Sequence, residues 1–136
     1  MLTSGSILNA TAKRLQVNLG TATENSKLLV YKETIETMIN TLYETSLYEI
    51  KQPAIKMYER DIKDIISGLR RVNKEGISQV RTYLGNAQVK ASLAYTMFDR
   101  REEETSKTRL ENRYKALLEC RDNLENARDY LGPLAN

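Results

Sequence analysis

Histidine and tryptophan are missing from these 136 residues, and cysteine occurs once, as Cys120. Without histidine there is no Ser-His-Asp or Cys-His pair, no His-x-x-x-His zinc site and no Glu-x-x-His motif of di-iron bundles. A lone cysteine closes no intramolecular disulfide, so the fold does not draw on an oxidising compartment. Neither a Gly-x-x-x-x-Gly-Lys phosphate loop nor an Asp-x-Asp-x-Asp-Gly calcium loop occurs. No window approaches the roughly 20 consecutive apolar residues of a membrane span. The apolar core of a signal peptide is also lacking, because Ile7 and Leu8 give way to Asn9, Thr11, Lys13 and Arg14. The expected location is the cytoplasm, or a particle assembled there. Glu102, Glu103 and Glu104 stand together in a stretch too polar to desolvate them as acid–base catalysis requires. No catalytic, cofactor-binding or metal-ligating residue is assigned, and a non-enzymatic protein is expected.

What the chain does have is helical periodicity. Ile55, Tyr58, Ile62, Ile65, Leu69 and Val72 step by threes and fours, as do Ile77, Val80, Leu84, Ala87, Ala91, Ala94 and Phe98. Strands alternate by two, so this spacing belongs to helices burying one stripe. A length of 136 residues and a hydrophobic content of 40% suit one domain with its own core. The expected fold is all-α: an antiparallel up-down bundle of about four long helices plus a short N-terminal helix or arm.

The boundaries follow from breakers and caps. Leu8, Ala12, Leu15 and Leu19 predict a short amphipathic helix over 6–19, with Gly20 as its C-terminal cap; residues 1–20 form an arm and 21–136 the bundle. A long helix is predicted to begin near Thr21 or Thr23 and to run toward Gln52, where Pro53 interrupts the hydrogen-bond ladder. Pro53 then opens a helix reaching Lys74, and a phase slip ending at Gly76 marks a turn. The next helix covers Ile77 to about Phe98. The polar residues 99–109 read as a loop or an exposed helical turn, and a last helix runs from about Thr108 to Gly132–Pro133. The expected core includes Leu28, Ile35, Leu42, Ile62, Ile65, Leu69, Val80, Leu84, Phe98, Leu117 and Leu124, with Cys120 packed as a small apolar side chain.

Charge is unevenly spread. Net charge is +3, yet residues 51–90 carry nine basic and four acidic side chains, a local +5. Lys56, Lys63, Arg70, Arg71 and Lys74 are the basic-surface candidates, and with Tyr58, Tyr83 and Tyr95 they give nucleic-acid binding weak support. Ile7, Leu8, Leu15 and Leu19 are the first interface candidates; Ala87, Ala91 and Ala94, whose small side chains permit close helix approach, are the second, with ordinary core the competing reading for both. The leading expectation is a structural subunit of an assembly (ring, tube, connector or virion-associated layer) whose partners are further copies of itself or other proteins. The alternative is a small chaperone or adaptor gripping a partner's amphipathic helix.

Overall fold

The computed structural model describes residues 6–98 and 107–135. Among them the chain is all-helical: α1 (Ile7–Arg14), α2 (Glu24–Glu44), α3 (Gln52–Leu69), α4 (Ile77–Thr96) and α5 (Lys107–Leu131), closed by a 3-10 turn over Gly132–Ala135. The four long helices make an up-down bundle. α4 lies between α3 and α5, α2 packs on α5, and α1 touches both α2 and α3. Cross-links confirm the antiparallel sense. Gln52, at the start of α3, donates to the Tyr95 carbonyl at the end of α4 at 3.1 Å. Lys90 of α4 meets Glu119 of α5 at 2.9 Å, and the Tyr83 ring stacks on Tyr130.

Local chemistry accounts for each start and stop. The Thr23 hydroxyl caps α2 by accepting from the Ser26 amide. Pro53 sits in the first turn of α3, where its missing N–H costs nothing. Gly76 takes φ +95° at the start of α4, a left-handed conformation that suits glycine.

Several boundaries differ from the periodic reading. α2 ends at Glu44 rather than near Gln52; Leu47 and Ile50 are buried anchors of the 45–51 connection, and their spacing of three imitates a helical stripe. α3 ends at Leu69, five residues before Lys74, leaving Val72 half-buried in the turn. α1 ends at Arg14, and its terminus does not use Gly20. Gln16 adopts φ +58°, so that Val17 N–H reaches the Ala12 carbonyl at 2.9 Å and Gln16 N–H reaches that of Lys13 at 3.1 Å. This is a Schellman closure with glutamine in the glycine position. Of the 99–109 stretch, 99–106 lies outside the described residues, and 107–109 form the first described turn of α5.

The core is the union of the predicted stripes. Of the expected core residues, all are buried except Phe98, which is half-buried with the Arg113 guanidinium 4.0 Å above its ring. Leu8 and Ala12 of α1 belong to the same buried cluster as the long helices. Gly68 receives Tyr31: a Cβ there would lie 2.7 Å from the Tyr31 Cζ and closer still to its hydroxyl. Gly85, in contrast, faces open space.

One polar residue fixes how α1 sits. Asp61 of α3 is 2% exposed and turns inward, away from the solvent face on which a charged residue is expected. Its Oδ1 accepts from the Ser6 hydroxyl at 2.7 Å, while Oδ2 accepts from the Ile7 amide at 2.7 Å and the Leu8 amide at 3.2 Å. The Ser6 Oγ in turn accepts from the Asn9 amide at 3.0 Å. The otherwise unpaired first amides of α1 are thus satisfied by its own serine and by a carboxylate from another helix, with the helix dipole favouring the negative charge. An ion pair between Arg14 and Glu33 of α2, at 3.4 Å, steadies the other end.

Two stability experiments follow from this packing. Asp61→Ala is expected to cost about 2–3 kcal/mol in urea unfolding, because it strips partners from buried donors; limited proteolysis should then cut the 15–23 connection while α2–α5 stay protected. Gly68→Ala should lower stability by about 1–3 kcal/mol as Tyr31 is displaced, whereas Gly85→Ala should raise it by about 0.5–1 kcal/mol by removing a helix-interior glycine. Thermal melts of the two variants would move in opposite directions.

Candidate interaction surfaces

The nucleophiles and acids that burial perturbs are sealed inside the bundle. Cys120 of α5 is fully buried, and burial pushes its thiol up from 9.0 to about 12. Tyr58 of α3 is raised from 10.0 to about 12, first by burial and second by its proximity to Cys120. Tyr31 is raised as well, by burial and then by Asp64. Among the described residues no three metal-ligating side chains converge, and no helix is long and apolar enough to cross a membrane.

The interface candidates of the arm and of the alanine seam lie against the chain itself. Leu8 is buried, and Ile7, Leu15 and Leu19 are half-buried against the core. Ala87, Ala91 and Ala94 have no exposed surface at all; they line the inner stripe of α4. Ala116, Cys120 and Ala127 line that of α5, and small groups on both helices permit the extensive α4–α5 contact. These alanines are thus core: the period that made them a seam is satisfied within the chain.

A surface that periodicity did not single out lies on the other side of α4. Its exposed residues are Ser78, Gln79, Thr82, Asn86, Val89, Leu93 and Thr96, none of them charged. Val89 is 63% and Leu93 43% exposed, one helical turn apart. α4 contains no acidic residue, and its two basic ones, Arg81 and Lys90, are half-buried on its flanks. In a chain with 29% charged residues, a solvent face about 30 Å long without charge is an unusual allocation. Its signal in the sequence is the near absence of charge from 76 to 98.

The basic candidates spread over α3 and the turn after it. Lys56, Lys63, Arg70 and Arg71 are exposed; Lys74 is half-buried, donating to the Leu134 carbonyl at 3.3 Å and to Asn25 at 3.1 Å, so it ties the α3–α4 turn to α2 and the chain end. Lys56 pairs with Glu59 at 3.3 Å and stands 5.2 Å from the centre of the Tyr95 ring. Of the acidic residues of α3, Asp61 is withdrawn into the α1 contact, Glu59 is engaged by Lys56 and Asp64 is exposed. The burial of Asp61 leaves the outer surface of α3 more positive than its composition. Of the three tyrosines, Tyr58 is core, Tyr83 stacks on Tyr130 with ring centres 5.7 Å apart, and Tyr95 remains at the surface, half-buried.

A second aromatic and cationic clasp joins α2 to α5. The Tyr43 hydroxyl donates to Glu125 at 2.8 Å, which raises the phenol's pKa, while the Arg121 guanidinium covers its ring at 3.9 Å and donates to the Leu42 carbonyl at 3.2 Å. Tyr48, in the 45–51 connection, stacks on Tyr114 with centres 4.4 Å apart. These exposed rings are thus already engaged by the chain's own side chains.

Compared with protein-family models, with curated proteins and with solved structures, the chain matches none.

Cys120 and Tyr58 hold their protons in the folded chain to higher pH than in the unfolded one. Between about pH 9 and pH 12 the unfolded chain releases protons first, so stability falls as pH rises through that window. Guanidinium midpoints measured from pH 7 to pH 11 should decline above about pH 9, with a shallower decline in Cys120→Ala. Iodoacetamide should leave Cys120 unmodified in the native chain at pH 8 and alkylate it in denaturant.

Proposed function

We propose that this chain is a non-enzymatic component of a larger protein assembly, such as a ring, tube, connector or virion-associated layer, and that it joins its neighbours through helix packing. The observation that carries this reading is the uncharged outward face of α4, with Val89 and Leu93 exposed. A helix face left in water is normally charged, because charge keeps a surface soluble and solitary. One that has shed its charge is suited to burial against another protein surface, where charges at the centre are depleted. Further copies of the chain or other proteins of the assembly are the partners this surface fits, and the cytoplasm or a particle built there is the setting.

A second reading, a small chaperone or adaptor, is favoured by one observation. α1 buries only Leu8, Thr11 and Ala12, yet it lies across both α2 and α3. A partner's amphipathic helix could occupy the same place. In that reading the chain alone stays monomeric, and its melting temperature rises when the partner is added.

Light scattering coupled to size exclusion tests the assembly reading. The wild-type chain is expected to give masses that exceed 15.6 kDa and grow with concentration. A Val89→Glu, Leu93→Glu double variant should remain at the monomer mass with an unchanged helical circular-dichroism spectrum. A strict monomer at every concentration, in the wild type, would remove self-assembly through this face.

A further inference from the structure

We infer that the furrow between α3 and α4 binds single-stranded nucleic acid, holding the phosphate backbone on a row of cations and one base against Tyr95. This goes beyond the assembly role, which uses the outward face of α4 around Val89 and Leu93.

Helical spacing and two contacts between α3 and α4 set the geometry. Gln52 and Lys56 reach Tyr95, so the side of α3 that carries them borders α4. Lys63 and Arg70 follow Lys56 at steps of seven, two turns each, and so share that side. On α4, Arg81 and Gln88 precede Tyr95 by the same steps of seven and line the facing side. The furrow is thus bordered by Lys56, Lys63, Arg70 and Arg81, with Gln88 and Tyr95. Among the described residues, no hydrogen bond or ion pair engages the side chains of Lys63, Arg70 and Arg81. Among the described residues of α3, the acid on this side is Glu59, held by Lys56; Asp61 points into α1, and the exposed Asp64 lies on the α1 flank.

Charge complementarity selects a polyanion. Lys56 to Arg70 spans about 21 Å along α3, long enough for several successive phosphates. The ring at one end selects a single strand, whose bases are unpaired and free to stack, whereas the bases of a duplex are held inside it. At the Lys56 end a recess of about 260 Å³ is lined by Gln52, Pro53, Lys56, Met57, Arg60 and Tyr95. An aromatic ring beside two cations and a glutamine is a suitable seat for one base, because stacking tolerates any base while the cations hold the flanking phosphates.

The probe is a fluorescein-labelled 15-nucleotide oligo(dT), titrated by anisotropy into the full chain, with a hairpin duplex and polyglutamate as the comparison polyanions. Binding to oligo(dT) at low salt is expected, with log K falling against log salt at a slope of about −2.8 for four phosphate contacts. Lys56→Gln, Lys63→Gln and Arg70→Gln combined should weaken it at least about tenfold and flatten that slope to near −0.7. Tyr95→Leu should weaken binding while leaving the slope unchanged. Circular dichroism verifies that each variant is folded; should the triple variant not fold, Lys63→Gln alone, with a slope lowered by about 0.7, serves the same purpose. No binding at 50 mM salt, equal affinity in the charge variants, or a slope near zero would overturn the inference. Polyglutamate displacing oligo(dT) at equal charge would overturn it in favour of an acidic protein partner, and preference for the hairpin would overturn the single-strand assignment.

Discussion

Close approach of α4 to α5 is the constraint around which the bundle is organised. Ala87, Ala91 and Ala94 on one helix and Ala116, Cys120 and Ala127 on the other are all buried, and side chains this small allow the axes to come together. The pair then acts as a central slab, with α3 on the α4 side and α2 on the α5 side. Larger groups fill the remaining space: Ile55, Ile62, Ile65 and Leu69 from α3, Leu28, Ile35, Met38 and Leu42 from α2. Enlarging an alanine in this seam would push the slab apart and disturb both outer helices together, because the core is packed without room to absorb added volume.

The same arrangement divides the surface into faces of distinct character. α4 meets solvent with hydroxyls, amides and two apolar side chains, while α3 meets it with lysines and arginines. The contrast sharpens in three dimensions because Asp61 is spent on capping α1. A residue that counts as one negative charge in composition contributes none to the outer surface of its helix. Net charge by segment therefore understates the polarity of α3, and the location of each carboxylate decides what a partner meets.

Helices, their order and nearly the whole core were legible because burial repeats every three to four residues and proline or glycine interrupts the pattern. Pro53 and Gly132–Pro133 gave their boundaries correctly for this reason. Where legibility failed, a loop residue supplied what a helix residue would have supplied. Leu47 and Ile50 pack into the core from a connection, and Val72 packs from a turn, so apolar spacing ran on past the last helical hydrogen bond. Gln16 in the left-handed region was equally hidden, since nothing local distinguishes it from the nearby Gly20. Long-range polar contacts were beyond reach altogether: no pattern near Asp61 indicates that its partners are Ser6, Ile7 and Leu8. The candidate faces divide in the same way. The cations of α3 were visible as a charge imbalance, whereas the bare face of α4 was masked by the conspicuous alanines behind it.

The carboxylate that completes α1 lies 54 residues downstream of the amide it receives. During synthesis, α1 must wait for α3, the second of the long helices, before its leading turn has this partner. An eight-residue helix has little persistence alone in water. Chronology and position are thereby offset in this molecule: α1 is made before the carboxylate that completes it.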